Sequence, residues 1–277
     1  MTVLLPTASP ARTGRLARQA RLLFLGGTMS YRALFNWATP AMFIGTLLGA
    51  PLVQMLFFVY LGRQLGTGDD RFYVIGNAVL AASVACVYGG TMAIANERQY
   101  GTLGALLLSP RSRTLLWLGR ALPYVANGML ATAINLAAGD LLMGLRLSLP
   151  ELGRIAPLIL AATIGCSGFG LLIGALGLRL RDVFLLANVV FVLLLLLTGA
   201  NVPRSVLPGW MRAVGEVLPL THAITGTRLA ADGGSLASVL PSLGLEAGLG
   251  VCYLLAAVVL LHWFERGSRL KGTLDTL

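Results

Sequence analysis

Residues 72–95 read FYVIGNAVLAASVACVYGGTMAIA. The run contains no Asp, Glu, Lys or Arg and has no polar face at any period. A helix on the surface of a soluble protein keeps one polar stripe. A helix crossing the hydrocarbon core needs about 20 apolar residues, which this run supplies. Working outward, five more stretches qualify: 40–61, 117–145, 155–178, 183–202 and 240–264. The sequence therefore predicts an all-α polytopic membrane protein with six transmembrane helices. Its expected organisation is an N-terminal segment (1–39), a six-span domain (40–264) and a short tail (265–277).

Composition agrees. The 277 residues are 56% hydrophobic and 12% charged, with a net charge of +10. Soluble domains carry about 25% charged residues, so an ordinary soluble enzyme and a disordered chain are both excluded. A nucleic-acid binder spreads its basic residues over a wetted surface. Here they sit between apolar runs and report orientation instead. Segments 1–39, 96–120, 179–182 and 265–277 hold 14 of the 21 Lys and Arg residues; the opposite set, 62–71, 146–154 and 203–239, holds seven. The first set is expected in the cytoplasm, with both termini, and the protein in a bacterial cytoplasmic membrane. Cys86, Cys166 and Cys252 lie inside apolar runs, and no Cys/His cluster suggests a metal.

In the first 39 residues, Leu16, Ala17, Ala20, Leu23 and Phe24 share one helical face, while Arg12, Arg15, Arg18 and Arg21 cover the other. This is the pattern of an amphipathic helix lying in the membrane interface. Tyr31, Phe35 and Trp37 mark headgroup level before the first span. After span two, Glu97, Arg98 and Tyr100 open a polar loop. Leu103, Leu106 and Leu107 then recur at helical spacing until Pro110 ends the element. This short cytoplasmic helix either rests on lipid or docks on a soluble partner.

Near the other face, the chain breaks at Thr198-Gly199-Ala200-Asn201. Pro203, Pro208 and Pro219 interrupt the next stretch, with Trp210 as an interfacial anchor. Irregular backbone at membrane depth requires cover by protein or a watery cavity. A re-entrant helical hairpin fits, and an interfacial loop is the alternative. The candidate pathway or gate residues are Asn77, Asn188, Phe191, Leu195 and Thr198. Asn77, Asn127, Asn135 and Asn188 equally serve as hydrogen-bonding glue between helices. Gly45-x-x-x-Gly49 and Gly170-x-x-x-Gly174 permit close helix packing. Asp140 and Glu246 are carboxylates within spans, which usually face a bundle interior. Interface water, a partner such as Arg146 or Arg154, and substrate are all open for them.

Several motifs together resemble the type-2 ABC exporter permeases, the membrane subunits of the drug, lipid and polysaccharide export class. They are Glu97-Arg98-x-x-Gly101-Thr102-Leu103, Leu107-x-Ser109-Pro110 and Leu118-Gly119-Arg120, with Tyr31-Arg32-Ala33-Leu34-Phe35 ahead of span one. Thr198-Gly199-Ala200-x-x-Pro203, Leu207-Pro208, Pro219-Leu220-Thr221-His222 and Arg228 resemble the family's outer re-entrant region, and the tail from Glu265 is similar too. The resemblance implies a dimer, of two copies or of paralogues, around a central pathway. It implies a coupling helix, Glu97–Pro110, docked on a separate nucleotide-binding subunit that holds ATP and Mg. It also implies a connecting helix, with Arg18, Arg21, Tyr31 and Arg32. The implied cargo is an amphipathic drug or lipid-like molecule, with a polysaccharide or glycolipid as the alternative.

Independently, a P-loop requires G-x-x-x-x-G-K-[ST]. The single lysine, Lys271, follows Leu270 and precedes Gly272, so no cofactor is expected on this chain and ATP hydrolysis is expected on another. Two rivals fare worse. Ser167 and His262 resemble the dyad of a rhomboid-type intramembrane protease, but helical rise places them about 15 Å apart in depth. A secondary transporter would show internal repeats and midplane ion sites, and the sequence shows neither.

Overall fold

A computed structural model describes residues 27, 40–66, 69–99, 101, 113–177 and 182–271. Among them every regular element is helical. Helix α1 (40–65) runs through Pro40–Ile44, a π turn at Gly45–Gly49 and Ala50–Leu65. Helix α2 (70–99) has the same construction: Asp70–Ser83, a π turn at Val84–Tyr88, and Gly89–Gln99. Next come α3 (Arg113–Met143), α4 (Leu149–Gly177) and α5 (Val183–Leu197). A single 3-10 turn (Arg204–Val206) leads to α6 (Gly209–Val217), α7 (Thr221–Ala231) and α8 (Leu236–Lys271).

Four of these are long and apolar enough to cross a membrane: 70–96 within α2, 117–143 within α3, α4, and 236–263 within α8. Helix α5 is apolar but shorter. The expected fifth span, 183–202, ends as a helix at Leu197, because Gly199 turns left-handed (φ 84°). Helix α8 runs without a break through the expected boundary between span and tail at 264/265.

Helix starts obey local chemistry. The Asp182 carboxylate accepts from the N–H groups of Phe184 and Leu185, at 2.9 and 3.1 Å. Asp69 does the same for Arg71 at the head of α2, at 3.3 Å. Short acidic side chains at this position satisfy N–H groups that the first turn leaves free. The Arg63 guanidinium pairs with Asp70 across the turn from α1 to α2.

Helix α2 lies at the centre and is mostly buried, whereas the apolar part of α8 is mostly exposed. Apolar attraction between helices is weak in lipid, so small residues that allow close approach decide the packing. Gly170 and Gly174 set α4 against the α2 backbone, at the carbonyls of Val87 and Thr91. A Cβ on Gly165 would stand 3.3 Å from the Cα of Gly250, which fixes the α4–α8 crossing. The Gly45-x-x-x-Gly49 pair is not needed for close packing among the described residues: a Cβ on Gly45 would meet nothing within 4 Å, and one on Gly49 only the Ile44 carbonyl of α1 itself. It coincides with the π turn of α1.

Candidate functional site

The break after α5 is held from three directions. The Thr198 hydroxyl donates to the Leu194 carbonyl at 2.6 Å, closing the last turn of α5. Arg228, on α7, crosses beneath the break. Its Nη2 donates to the carbonyls of Gly199 (2.9 Å), Ala200 (3.2 Å) and Phe72 (2.9 Å). Its guanidinium also lies 3.7 Å from the Phe72 ring centroid. Burial pushes Arg228 down to about 10, so it keeps its charge at neutral pH. One cation thus satisfies carbonyls that the irregular backbone cannot pair itself. Gly76 makes room, since a Cβ there would collide with the Ala200 carbonyl and the Arg228 guanidinium.

A buried amide ladder joins α1, α2 and the break. Gln54 Nε2 donates to Asn77 Oδ1 at 3.1 Å, and Asn77 Nδ2 donates to Asn201 Oδ1 at 2.7 Å. Asn201 Nδ2 reaches the Leu195 carbonyl at 3.4 Å. Beside this ladder lies a cavity of about 610 Å³. Phe58, Leu61, Tyr73, Leu195, Val202 and Pro203 form most of its wall, and Asn201 is part of its polar surface. Its size and apolar lining suit an amphipathic small molecule.

Helices α6 and α7 form the next piece of this site. The Thr221 hydroxyl donates to the Gly215 carbonyl (2.7 Å), and His222 Nε2 lies 3.0 Å from the Glu216 carbonyl. Arg204 pairs with the Glu216 carboxylate. Leu220 adopts a left-handed conformation (φ 75°) at the start of α7 and offers no side-chain cap. The cap comes from α8. Glu246, with no exposed surface, accepts from Leu220 N–H at 2.7 Å and from Ala223 N–H at 3.1 Å. A carboxylate is favoured there by the unpaired N–H groups and by the helix dipole. Glu246 therefore does not reach interface water, and its partners are backbone groups, not Arg146 or Arg154. Asp140 is exposed, and its Oδ1 accepts from Leu147 N–H at 3.1 Å.

Of the candidate pathway residues, Asn77, Leu195 and Thr198 meet at the break, with Pro203 on the cavity wall. Asn188 and Phe191 lie elsewhere, about 15 Å and 10 Å along α5 from Thr198 by helical rise. There Tyr88, in the α2 π turn, donates its hydroxyl to Asn188 Oδ1 at 2.7 Å, and its ring lies 6.4 Å from Phe191. In the segment after the break, Pro219 and His222 are buried and Trp210 is exposed on α6. Sequence reasoning missed Gln54 and Gly76. A lone amide in the apolar run of α1 was a signal for the first; nothing marked the second among the many glycines.

The loop after α2 is described only at its start. The α2 backbone continues through Glu97 and Arg98 to Gln99, and Gly101 turns left-handed (φ 68°), a helix-ending conformation that glycine adopts without strain. Tyr100, Thr102, Leu103, Leu106, Leu107, Ser109 and Pro110 lie outside the described residues, as do Arg18, Arg21, Tyr31 and Arg32. Gly27 is helical and buried, close to the Gly119 carbonyl of α3.

This arrangement of apolar helices, the loop after α2, the break and the short helices that follow it has a match. The family model for the ABC-2 type transporter covers residues 27–230. The chain belongs to the ABC-2 type transporter family. It is 27% identical over 158 residues to a probable multidrug ABC transporter permease of Escherichia coli, covering 56% of this chain and 42% of that protein. The chain thus spans less than half of that relative. It is also 27% identical over 283 residues to a probable doxorubicin resistance ABC transporter permease protein of Mycobacterium tuberculosis, covering 96% of both. A daunorubicin resistance ABC transporter permease protein of Streptomyces coeruleorubidus is 27% identical over 185 residues, covering 64% of each chain. Within this ABC-2 chain the match includes α1 to α5 and the break, and it ends one residue before α7 does.

Proposed function

We propose that the chain is the membrane permease subunit of an ATP-driven exporter for amphipathic, drug-like molecules. It works as a dimer with a separate ABC ATPase and supplies no hydrolytic chemistry itself. The observation that carries this reading is the family match across 27–230, and drug-resistance permeases among the relatives support the substrate class. The Lys and Arg asymmetry supports six spans with both termini in the cytoplasm. In this reading α1 and α5 are the two further spans, and α6 and α7 form a re-entrant outer hairpin.

The mechanism is alternating access. Nucleotide-driven closure of the ATPase pair moves the 97–110 segment and the N-terminal connecting helix. The rigid α2 transmits that movement to the outer break, because the amide ladder and Arg228 tie α2 to residues 199–201. The apolar cavity beside the break is where substrate passes on its way out. Substrate binding there rests on buried apolar area, with Asn201 and Tyr73 supplying polar contacts.

Co-purification tests the assignment. A tagged copy of the chain, expressed with an ABC ATPase subunit encoded beside it, is expected to bring that subunit through detergent purification and to change its hydrolysis rate. An ATPase that never associates with the chain would refute the reading.

A further inference from the structure

We propose that the groove between α3 and α4 binds a phospholipid with a primary ammonium headgroup. The groove has a volume of about 460 Å³, within the roughly 300–1,000 Å³ range of small-molecule sites. Met129, Ala133, Leu136, Ala137, Ile155 and Ile159 line it, and Asp140 is its one charged residue. It shares no lining residue with the cavity beside the break. It lies at the same end of the bundle, where Arg63 contacts Met143 and Arg154 bonds to the Gly234 carbonyl. Small side chains at 133 and 137 leave a slot for an acyl chain, and Leu141, Leu142 and Leu149, in the chain between its α3 and α4 walls, are exposed.

Charge selects the occupant. Asp140 accepts one N–H, from Leu147, out of about four lone-pair sites on a carboxylate. Among the described residues no cation pairs with it. Arg146, next to the groove residue Leu147, is exposed and has no partner among the described residues. A carboxylate at one end of an apolar slot complements an ammonium headgroup on an acyl chain. The ammonium donates to Asp140. A quaternary choline has no N–H to donate, and a glycerol headgroup has no positive charge.

The site requires only that the chain lie in a membrane, and does not depend on drug export. The test uses the purified full-length chain in nanodiscs with equal phosphatidylethanolamine, phosphatidylcholine and phosphatidylglycerol. Retained lipid is measured by mass spectrometry after stepwise delipidation. The wild type is expected to enrich phosphatidylethanolamine about fivefold over the bulk mixture. Asp140→Asn keeps an acceptor for the Leu147 N–H but removes the charge, and is expected to return retention to the bulk ratio. Ala137→Phe fills the slot from an exposed position, leaves Asp140 in place, and is expected to abolish retention. Equal enrichment of all three lipids, or unchanged selectivity in Asp140→Asn, overturns the proposal. So does unchanged retention in Ala137→Phe. Displacement of the lipid by micromolar doxorubicin would make the groove a substrate subsite, and overturns it as well.

Discussion

Replacing Glu246 by alanine is expected to undock α7 from α8. The carboxylate is fully buried and accepts from two backbone N–H groups, Leu220 and Ala223. Removing it leaves both donors unsatisfied in a dry interface, at about 1–3 kcal/mol each. The total is about 2–6 kcal/mol before any cavity term. Glu246→Gln keeps a carbonyl oxygen of the same reach but loses the second acceptor and the favourable charge at the helix N-terminus, together about 1–3 kcal/mol. A thiol-reactive dye offers the assay, because Cys86 and Cys166 are buried and Cys252 is exposed. In a Cys252→Ser background, dye uptake on heating reports opening of the core. At about 2–4 °C per kcal/mol for a chain of this size, Glu246→Ala should melt about 10 °C early and Glu246→Gln about half as far below wild type. Equal losses in the two variants would refute the hydrogen-bond argument and leave volume as the cause. No loss in either would remove the capping role altogether.

Gly76→Ala is expected to lose more than about 2 kcal/mol of stability in the same assay, because its Cβ would strike the Ala200 carbonyl. Arg228→Lys keeps the charge but cannot hold three carbonyls and the Phe72 ring in one plane. It should assemble with a lowered melting point and loosen the break, read as increased labelling of a cysteine placed at position 203. Asn77→Leu should fold and insert yet impair transport more than Asn188→Leu, if the ladder rather than the Tyr88 pair connects α2 to the break; transport rates in vesicles decide this. Gly101→Pro or Glu97→Ala should leave insertion intact and reduce ATPase co-purification or substrate-stimulated hydrolysis.

Much of the helical layout was legible because each apolar run stands out against sparse charge. The break at Thr198 was visible as well, since a Thr-Gly-Ala-Asn sequence with three prolines after it cannot continue a helix. The cap provided by Glu246 was not legible. Its partners are the backbone of residues 220 and 223, and no side-chain pattern records which N–H groups a distant carboxylate will meet. The same holds for Gly45-x-x-x-Gly49 and Gly170-x-x-x-Gly174, which look alike in sequence. Only in the second would a Cβ strike the backbone of another described helix, because that depends on the whole bundle. Asn77 reads in sequence as helix glue or pathway lining; the fold shows it buried and hydrogen-bonded to Gln54 and Asn201, and of the ladder it is Asn201 that lines the cavity. Arg228 stood out only through its family-like context; its reach to carbonyls on two other segments is a tertiary fact.

The most direct test of the account is efflux into inside-out vesicles containing the chain and its ATPase subunit, with doxorubicin fluorescence as the readout. The account predicts uptake that requires ATP, requires both subunits, and stops when the ATPase cannot hydrolyse nucleotide. Uptake driven by a proton or sodium gradient without ATP, or by the chain without any ATPase subunit, would contradict it.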